Sequence, residues 1–533
     1  MTETDVLIIG AGHNGLTCAA YLAMAGLRVT VVDRRKVAGG AAVTQEFHPG
    51  FRNSVAAYTV SLLNPNVTAD LKLAEHGLKV VERRAQNFLP APDGSYLLTG
   101  EGRTKSSVEK LSPRDAGRMD DFARELEEIA DVLRELVLRP PPNMVKGFGI
   151  GALRESFNAL GTANILHRLT LEQQRSLLDL FTRSAGEMLD ERFENDLVKA
   201  LYGFDAIVGN YASPYAAGSA YVMLHHAFGE VNGKKGVWGH AIGGMGAITQ
   251  AMARAARGHG AEIRLESGVR EVIVERDRAV GVILDNGETI RAKSIASSIN
   301  PKLLYTQLVP ANALPPEFSA RISHWRNASG TFRMNVALAR LPSFTALPGL
   351  GDHLTAGSIL APSLGYMDRA WQDAREHGWS RKPVVELLIP STLDDTLAPS
   401  GQHVASLFCQ HVAPQLPDGA SWDDHRDEVA DLMIATVDAY APGFANSVIG
   451  RQILSPLDLE RQFGLLGGDI FHGALSLNQL FSARPMLGHA DYRGPIKGLY
   501  HCGSGAHPGG GVTGAPGHNA ARVILGDHRA LFR

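Results

Sequence analysis

Gly10, Gly12 and Gly15 stand in the run Gly10-Ala-Gly12-His-Asn-Gly15, the spacing G-x-G-x-x-G, and Asp33 follows twenty-one residues after Gly12. These residue types at this spacing can hold a dinucleotide. Gly10 permits a tight turn, Gly12 lacks the side chain that would keep a pyrophosphate off the backbone, and Gly15 lets a helix pack closely on a strand. Free N–H groups and the dipole at a helix start attract phosphates. An acid at Asp33 is placed to accept hydrogen bonds from ribose hydroxyls and disfavours a 2′-phosphate, which argues against NADP.

The flanking residues supply the elements this turn needs. Val6–Ile9 is wholly apolar, as a strand buried on both faces should be. Leu16, Ala19, Ala20 and Ala23 fall at i, i+3, i+4 and i+7 and predict a helix that packs back on the sheet. Gly26 ends it, and Arg28–Val32 reads as a second strand finishing at Asp33. A second glycine-rich turn, Gly39-Gly40-Ala41, would let the chain pass close to a pyrophosphate and a flavin ring. It is the first pointer to FAD over a simple nicotinamide cofactor, with an ordinary surface turn as the other reading.

At 533 residues the chain is long enough for two domains or one composite body. Hydrophobic content of 44% with 20% charged residues is that of an ordinary globular protein. A net charge of −3 gives no support for nucleic-acid binding or a polybasic membrane anchor. The three cysteines, Cys18, Cys409 and Cys502, form no C-x-x-C pair and no metal-ligand spacing, which argues against a dithiol reductase, a zinc site and a disulfide-stapled fold. Cys18 falls in the first helix and reads as core packing. A first strand beginning near residue 5 leaves no room for a cleavable presequence, glycines and polar residues interrupt Val6–Val32 as a membrane span, and free thiols suit a reducing compartment, so a cytoplasmic location is expected.

Further along, Gln45–Leu71 reads as a loop and a short helix, whose Arg52, Asn53, Ser54, Tyr58 and Ser61 could line a pocket. Residues 80–100 hold short strands about a turn at Pro90–Gly94. From Ser112 to about Phe228 the chain reads mostly helical, including a buried helix pair over Val145–Leu169, with Leu171–Leu189 and Asp196–Ile207 continuing the helical block. His225 and His226 have no carboxylate at ligand spacing and read as structural. After Trp238–Gly246 (WGHAIGGMG), a helix over Ala247–Arg257, a strand over Ala261–Leu265, a hairpin of Val269–Val274 with Val280–Leu284, and a strand over Glu288–Lys293 extend the nucleotide domain. In such an extension the backbone at Val269 meets the adenine. Gly330–Leu341 alternates as a strand with one buried face. Pro383–Ile389 and His403–Val412 read as further strands and Val429–Val437 as an amphipathic helix, which together suggest a second α+β domain with an antiparallel or mixed sheet. Near the C-terminus, Gly498–Gly514 is a strand and glycine-rich turn before a helix over Ala515–Leu525. The positive end of that helix would stabilise a reduced, anionic flavin.

Three blocks, Gly10–Gly40, Trp238–Met245, and Gly467–Pro485 with the HPGGG of His507–Gly511, carry a resemblance that spans most of the chain. The chain resembles the phytoene desaturase-like FAD-dependent oxidoreductases, a branch of the amine oxidase and glutathione reductase-like flavoprotein superfamily. Within it, the chain is most similar to the pyridine nucleotide-disulphide oxidoreductase domain-containing protein 2 group. The resemblance implies an α/β fold. A Rossmann-like, glutathione reductase-like FAD-binding domain would be built from residues 1–75, 235–300 and 490–533, and a discontinuous α+β substrate domain from 76–234 and 301–489. It implies FAD on Gly10, Ala11, Gly12, Asn14, Gly15, Asp33, Arg34, Gly39, Gly40 and Ala41, with Val269 by the adenine and Gly503, Gly511, Val512 and Thr513 by the flavin; no cysteine or histidine stands in an attachment motif, so non-covalent FAD is expected. The Asp33 position is often Glu in such flavoproteins, a mild chemical departure. The missing C-x-x-C sets aside the disulfide chemistry in the group's name.

The chemistry so implied is hydride transfer from a largely apolar small molecule to flavin N5, as in a desaturase or dehydrogenase. A second proton must then leave, and His472, in the Phe471-His472-Gly473 turn, is the first candidate for a pocket acid or base. Tyr58 is the second. His507 is a third, with bracing of the HPGGG turn as its other reading. Oxidation of an amine or alcohol, or a flavoprotein whose main role is binding a partner, remain open alternatives. No metal is expected, and the electron acceptor and oligomeric state are not legible.

Overall fold

The computed structural model describes residues 3–143 and 150–531. Its first sheet is built around the apolar strand Glu3–Ile9, in which Val6, Leu7 and Ile8 are fully buried. That strand pairs in parallel with Val29–Val32 on one side and Thr289–Ser297 on the other, so that Ile8 lies opposite both Val31 and Ala296. Glu262–Arg264 and Leu499–His501 join in parallel, and the hairpin of Val269–Glu275 with Arg278–Leu284 extends the sheet antiparallel to seven strands.

Three helices cover one face: His13–Met24, Met245–Gly258 and the C-terminal Ala515–Leu531. They approach closely because their contact residues are small: Ala19, Ala20, Ala251, Ala255, Ala520 and Ala521 are all fully buried. At Gly517 a Cβ would stand 2.1 Å from the Asn14 carbonyl oxygen, so only glycine allows the first and last helices this contact. The opposite face is closed by Leu304, Tyr305, Phe318, Ile322 and Trp325.

A second seven-stranded sheet has the order Val448–Leu454, Phe332–Leu338, His403–Val412, Trp379–Leu388, Gly357–Leu360, Asn87–Pro90, Tyr96–Leu98. It is antiparallel except where Gly357–Leu360 runs parallel to Asn87–Pro90. The helix Trp422–Tyr440 packs on Phe332, Met334, Val336 and Leu338. Helices from Pro113–Val137 to Ser219–Ala227 form a block with its own core. Among the described residues no helix is long and apolar enough to cross a membrane, and no group of His, Cys, Asp or Glu is arranged to hold a metal.

Three expectations are corrected. Gln45–Leu71 is not simply a loop and a helix, because Thr44–His48 and Phe51–Ser54 pair as a hairpin before the helix Pro65–Asp70. Its turn is made by Pro49 and by Gly50 at φ +81°, but neither its half-exposed first strand nor its mostly buried second carries an alternating pattern. The helical block over Leu171–Leu189 is present, built as two helices with Ser184 accepting a hydrogen bond from Glu187 N at the start of the second. The Val145–Leu169 stretch lies partly outside the described residues; what is described is one helix, Ile150–His167, with Leu160 64% exposed. The strand Phe332–Leu338 is buried on both faces, with Arg333 and Asn335 fully enclosed. Alternation of polar and apolar residues separates two faces of a strand, but it does not say that the polar face meets water.

Candidate functional site

The parallel strands Glu3–Ile9, Val29–Val32 and Thr289–Ser297 end together, and a cavity of about 440 Å³ opens at their carboxyl ends, where α/β sheets place ligands. It is lined from the first sheet by Ile9 and Val32 and from the second by Phe408.

At one end, Gly10 turns the chain at φ +96° and Gly12 enters the first helix with open space where a Cβ would stand. Gly15 is used for packing, since a Cβ there would come 2.1 Å from the Gly10 carbonyl oxygen. The Ala11 and Arg35 backbone N–H groups donate to the two oxygens of Asp33, at 2.7 and 2.8 Å. A carboxylate has about four acceptor positions, so Asp33 keeps capacity for two further donors. Gly39 donates its N–H to Ala11 O at 2.8 Å, which brings the second glycine turn against the first.

The structure brings Gly10, Gly12, Asn14, Asp33, Arg34, Gly40, Ala41 and Val269 to this cavity with Tyr58, His472, Gly511 and Val512. Ala11, Gly15, Gly39, Gly503 and Thr513 stand behind the wall. Gly503 is packed so tightly that a Cβ would meet Ser298 O at 2.3 Å. The Thr513 hydroxyl accepts from Ala515 N at 3.1 Å and so holds the start of the C-terminal helix. Of Arg52, Asn53, Ser54, Tyr58 and Ser61, only Tyr58 and Ser61 reach the cavity; Asn53 instead donates to Asn335 Oδ1 at 2.9 Å. His507 is buried with its Nε2 on Leu136 O at 3.2 Å and does not line the cavity. His226 does, alongside Trp238.

The cavity carries polar atoms that need an occupant. Asn14 Oδ1, Ser61 Oγ, Asn300 Nδ2, His13 Nε2 and His472 Nδ1 are all buried with no hydrogen-bond partner among the described residues. Leaving so many buried polar atoms unpaired is costly unless a ligand pairs them. A long ligand with an adenosine end, a diphosphate and a heteroaromatic ring fits both these atoms and the open face of Gly12.

At the far end lies a buried polar cluster that the sequence did not reveal. Tyr58 donates to Glu386 Oε2 at 2.6 Å and stacks on Phe408, ring centroids 5.2 Å apart. The Arg333 guanidinium lies 4.5 Å from the centre of the Tyr58 ring and donates to Ala56 O, Leu407 O and Ser406 Oγ. Arg83 donates to Thr59 Oγ1 at 2.6 Å. Burial raises the Glu386 carboxyl above its ordinary range against the pull of Arg83, the Tyr58 hydrogen bond and Arg333. Burial, then Glu386, pushes the Tyr58 phenol up as well. The one signal in the sequence was Glu386 itself, an acid inside the apolar run Val384-Val385-Glu386-Leu387-Leu388. A second cavity, of about 800 Å³, lies on the other side of this cluster, with Arg83 and Asp205 at its wall and His226 and Trp238 shared with the first.

His472 sits in a loop held from below. The fully buried Arg484 donates to the carbonyls of Phe471, Gly473, Gln479 and Ser504, and Asn14 donates to Ser504 Oγ at 3.0 Å. This chain ties the loop to the first helix. Burial lowers the His472 imidazole to about 4 and that of His13 to about 3, so both are neutral at ordinary pH.

A two-sheet body with a glycine-cradled cavity at its parallel-strand ends defines a dinucleotide-dependent oxidoreductase, and the chain belongs to the flavin containing amine oxidoreductase family, whose match extends over residues 15–525. It is an FAD-dependent oxidoreductase. It is 42% identical to pyridine nucleotide-disulfide oxidoreductase domain-containing protein 2 of Rattus norvegicus, over 98% of this chain and 94% of that protein. It is 28% identical to one of the subunits of limonene dehydrogenase from Castellaniella defragrans, over 98% and 95%. Among solved structures, cyclohexylamine oxidase from Brevibacterium oxydans superposes with a TM-score of 0.58 at 17% identity, covering 99% of this chain and all of that one, a likeness of fold.

Proposed function

We propose that this protein is a dehydrogenase or desaturase that removes a hydride and a proton from a largely apolar small molecule. The observation that carries the reading is the far end of the cavity, where Leu62, Val208, Phe408, Ile470 and Phe471 line the wall with Tyr58, whose hydroxyl is bonded to Glu386. The apolar walls suit a hydrocarbon-like substrate, and the buried pair supplies a place for the proton. Non-covalent FAD would lie along the cavity, its adenosine by Asp33 and Val269, its diphosphate over Gly12, and its ring toward Gly511 and Val512. When bound, the flavin supplies an acceptor for the hydride. Tyr58 would take the substrate proton as its own passes to Glu386, and the aromatic walls would orient the substrate and exclude water.

The same proposal divides the chain into an FAD-binding part, residues 1–75, 235–300 and 490–533, and a substrate part, 76–234 and 301–489. It includes a cytoplasmic setting, in keeping with three buried free thiols. A second reading, oxidation of an amine, is favoured by the acid beside stacked aromatic rings, since Glu386 could also take a proton from an ammonium group. The two separate in an anaerobic screen. Loss of the visible flavin absorbance on mixing with terpene-like hydrocarbons, and not with amines, supports the first reading, and the reverse pattern supports the second.

A further inference from the structure

We propose that His13 and His472 together grip the FAD diphosphate, and that the pair takes up a proton from solvent as the cofactor binds. The inference rests on the reading of the cavity as the FAD site and gives His472 to the cofactor rather than to the substrate.

His13 stands in the first turn of the helix whose open N-terminus is the anion-binding end, next to Gly12. His472 lies across the cavity on the loop that Arg484 clamps at Phe471 O and Gly473 O, on either side of the histidine. Both rings line the cavity, and each keeps a buried nitrogen with no partner among the described residues. Asn14, 3% exposed, adds an unpaired Oδ1 beside them.

Charge then decides the role. Apart from histidines, the charged side chains among the described lining residues are Asp33, Asp285, Arg34 and Arg35, which cancel. Arg34 donates to Arg461 O, and Arg35 is held against the cavity wall, donating to Gly40 O and covering the Phe463 ring. A diphosphate carries two negative charges into this enclosure, and the helix dipole offsets only part of them. The groups facing the two imidazoles are each other, His501, and the Arg484 guanidinium, which Asp469 offsets. In the free protein burial first, and then these groups, keep a proton off His13 and His472. An arriving diphosphate reverses that balance, so binding draws a proton in.

The test is the affinity of the holoprotein for its FAD, read from the fluorescence of cofactor released on dilution at about pH 6 and about pH 8. FAD itself does not titrate between these values. Wild type is expected to hold FAD about tenfold more tightly at the lower pH. His472→Gln and His13→Gln are each expected to weaken binding about tenfold at the lower pH and to flatten the dependence. A merely structural role would weaken binding equally at both. Wild-type affinity independent of pH, with variants that share it, would overturn the inference and leave the FAD site standing. A protein that neither carries FAD nor takes it up would overturn both.

Discussion

Tyr58 and Glu386 are 328 residues apart in sequence and share a 2.6 Å hydrogen bond, which joins the segment after the first hairpin to the middle of the second sheet at the cavity wall. The bond is roofed by the Arg333 guanidinium over the Tyr58 ring. It brings to one wall the phenol and the carboxyl that the proposed chemistry needs.

If this pair accepts the substrate proton, Glu386 must be ionised for turnover. Its raised pKa places the acid limb of the pH–rate profile above the ordinary carboxylate range, with the rate of flavin reduction falling as pH drops through it. Glu386→Gln is expected to slow flavin reduction about a hundredfold and to remove the limb, and Tyr58→Phe to slow it by a similar factor. Rapid-mixing absorbance at several pH values, with any substrate found to reduce the flavin, measures both.

Gly12 and Gly15 separate cradle from packing. A Cβ on Gly12 meets no atom of the protein within 4 Å and the residue has φ −71°, so Gly12→Ala is expected to fold with unchanged stability but to lose FAD. Gly15→Ala would drive its Cβ against Gly10 O and is expected to cost about 1–3 kcal/mol of stability as well. Flavin released per protein, set beside a urea melt of each variant, distinguishes the two effects.

The Arg484→Met variant leaves the carbonyls of Phe471, Gly473, Gln479 and Ser504 without their donor inside the core. The expected loss is at least about 3 kcal/mol in urea unfolding. Arg484→Lys is expected to recover little of it, because an ammonium cannot reproduce the planar fork of donors.

Asp205 stands at the wall of the second cavity with no hydrogen bond or ion pair from its side chain among the described residues. Burial, then the Glu386 charge, pushes it up to about 8. A carboxyl whose pKa is higher folded than unfolded binds more protons in the native state, so it costs stability as pH rises from about 4 to about 8. Asp205→Asn is therefore expected to match wild type in acid and to exceed it increasingly up to about pH 8, with the difference levelling off above. Unfolding curves across that range check the sign.

The N-terminal strand, glycine turn and helix were legible because each obeys a local rule: an apolar run, a fixed glycine spacing, a helical period. The strand His403–Val412 was legible for the same reason. Glu386 and Arg333 were not, because a buried polar residue is made tolerable by partners hundreds of positions away, which no local pattern records. The hairpin after Val43 was hidden because its first strand is half-exposed on both faces and its second is buried but for Arg52. The sequence pointed to His472 as a polar group of the pocket; its neighbour across the cavity, His13, lay inside the glycine motif and drew no separate notice.

The central claim, an FAD-dependent dehydrogenase acting on an apolar molecule, is tested most directly by anaerobic mixing of the purified holoprotein with a series of hydrocarbon, alcohol and amine candidates. The expected result is FAD, released intact by acid, and loss of the visible flavin absorbance with an apolar compound at a rate that Glu386→Gln lowers. A flavin that no apolar compound reduces while a simple amine reduces it readily would contradict it.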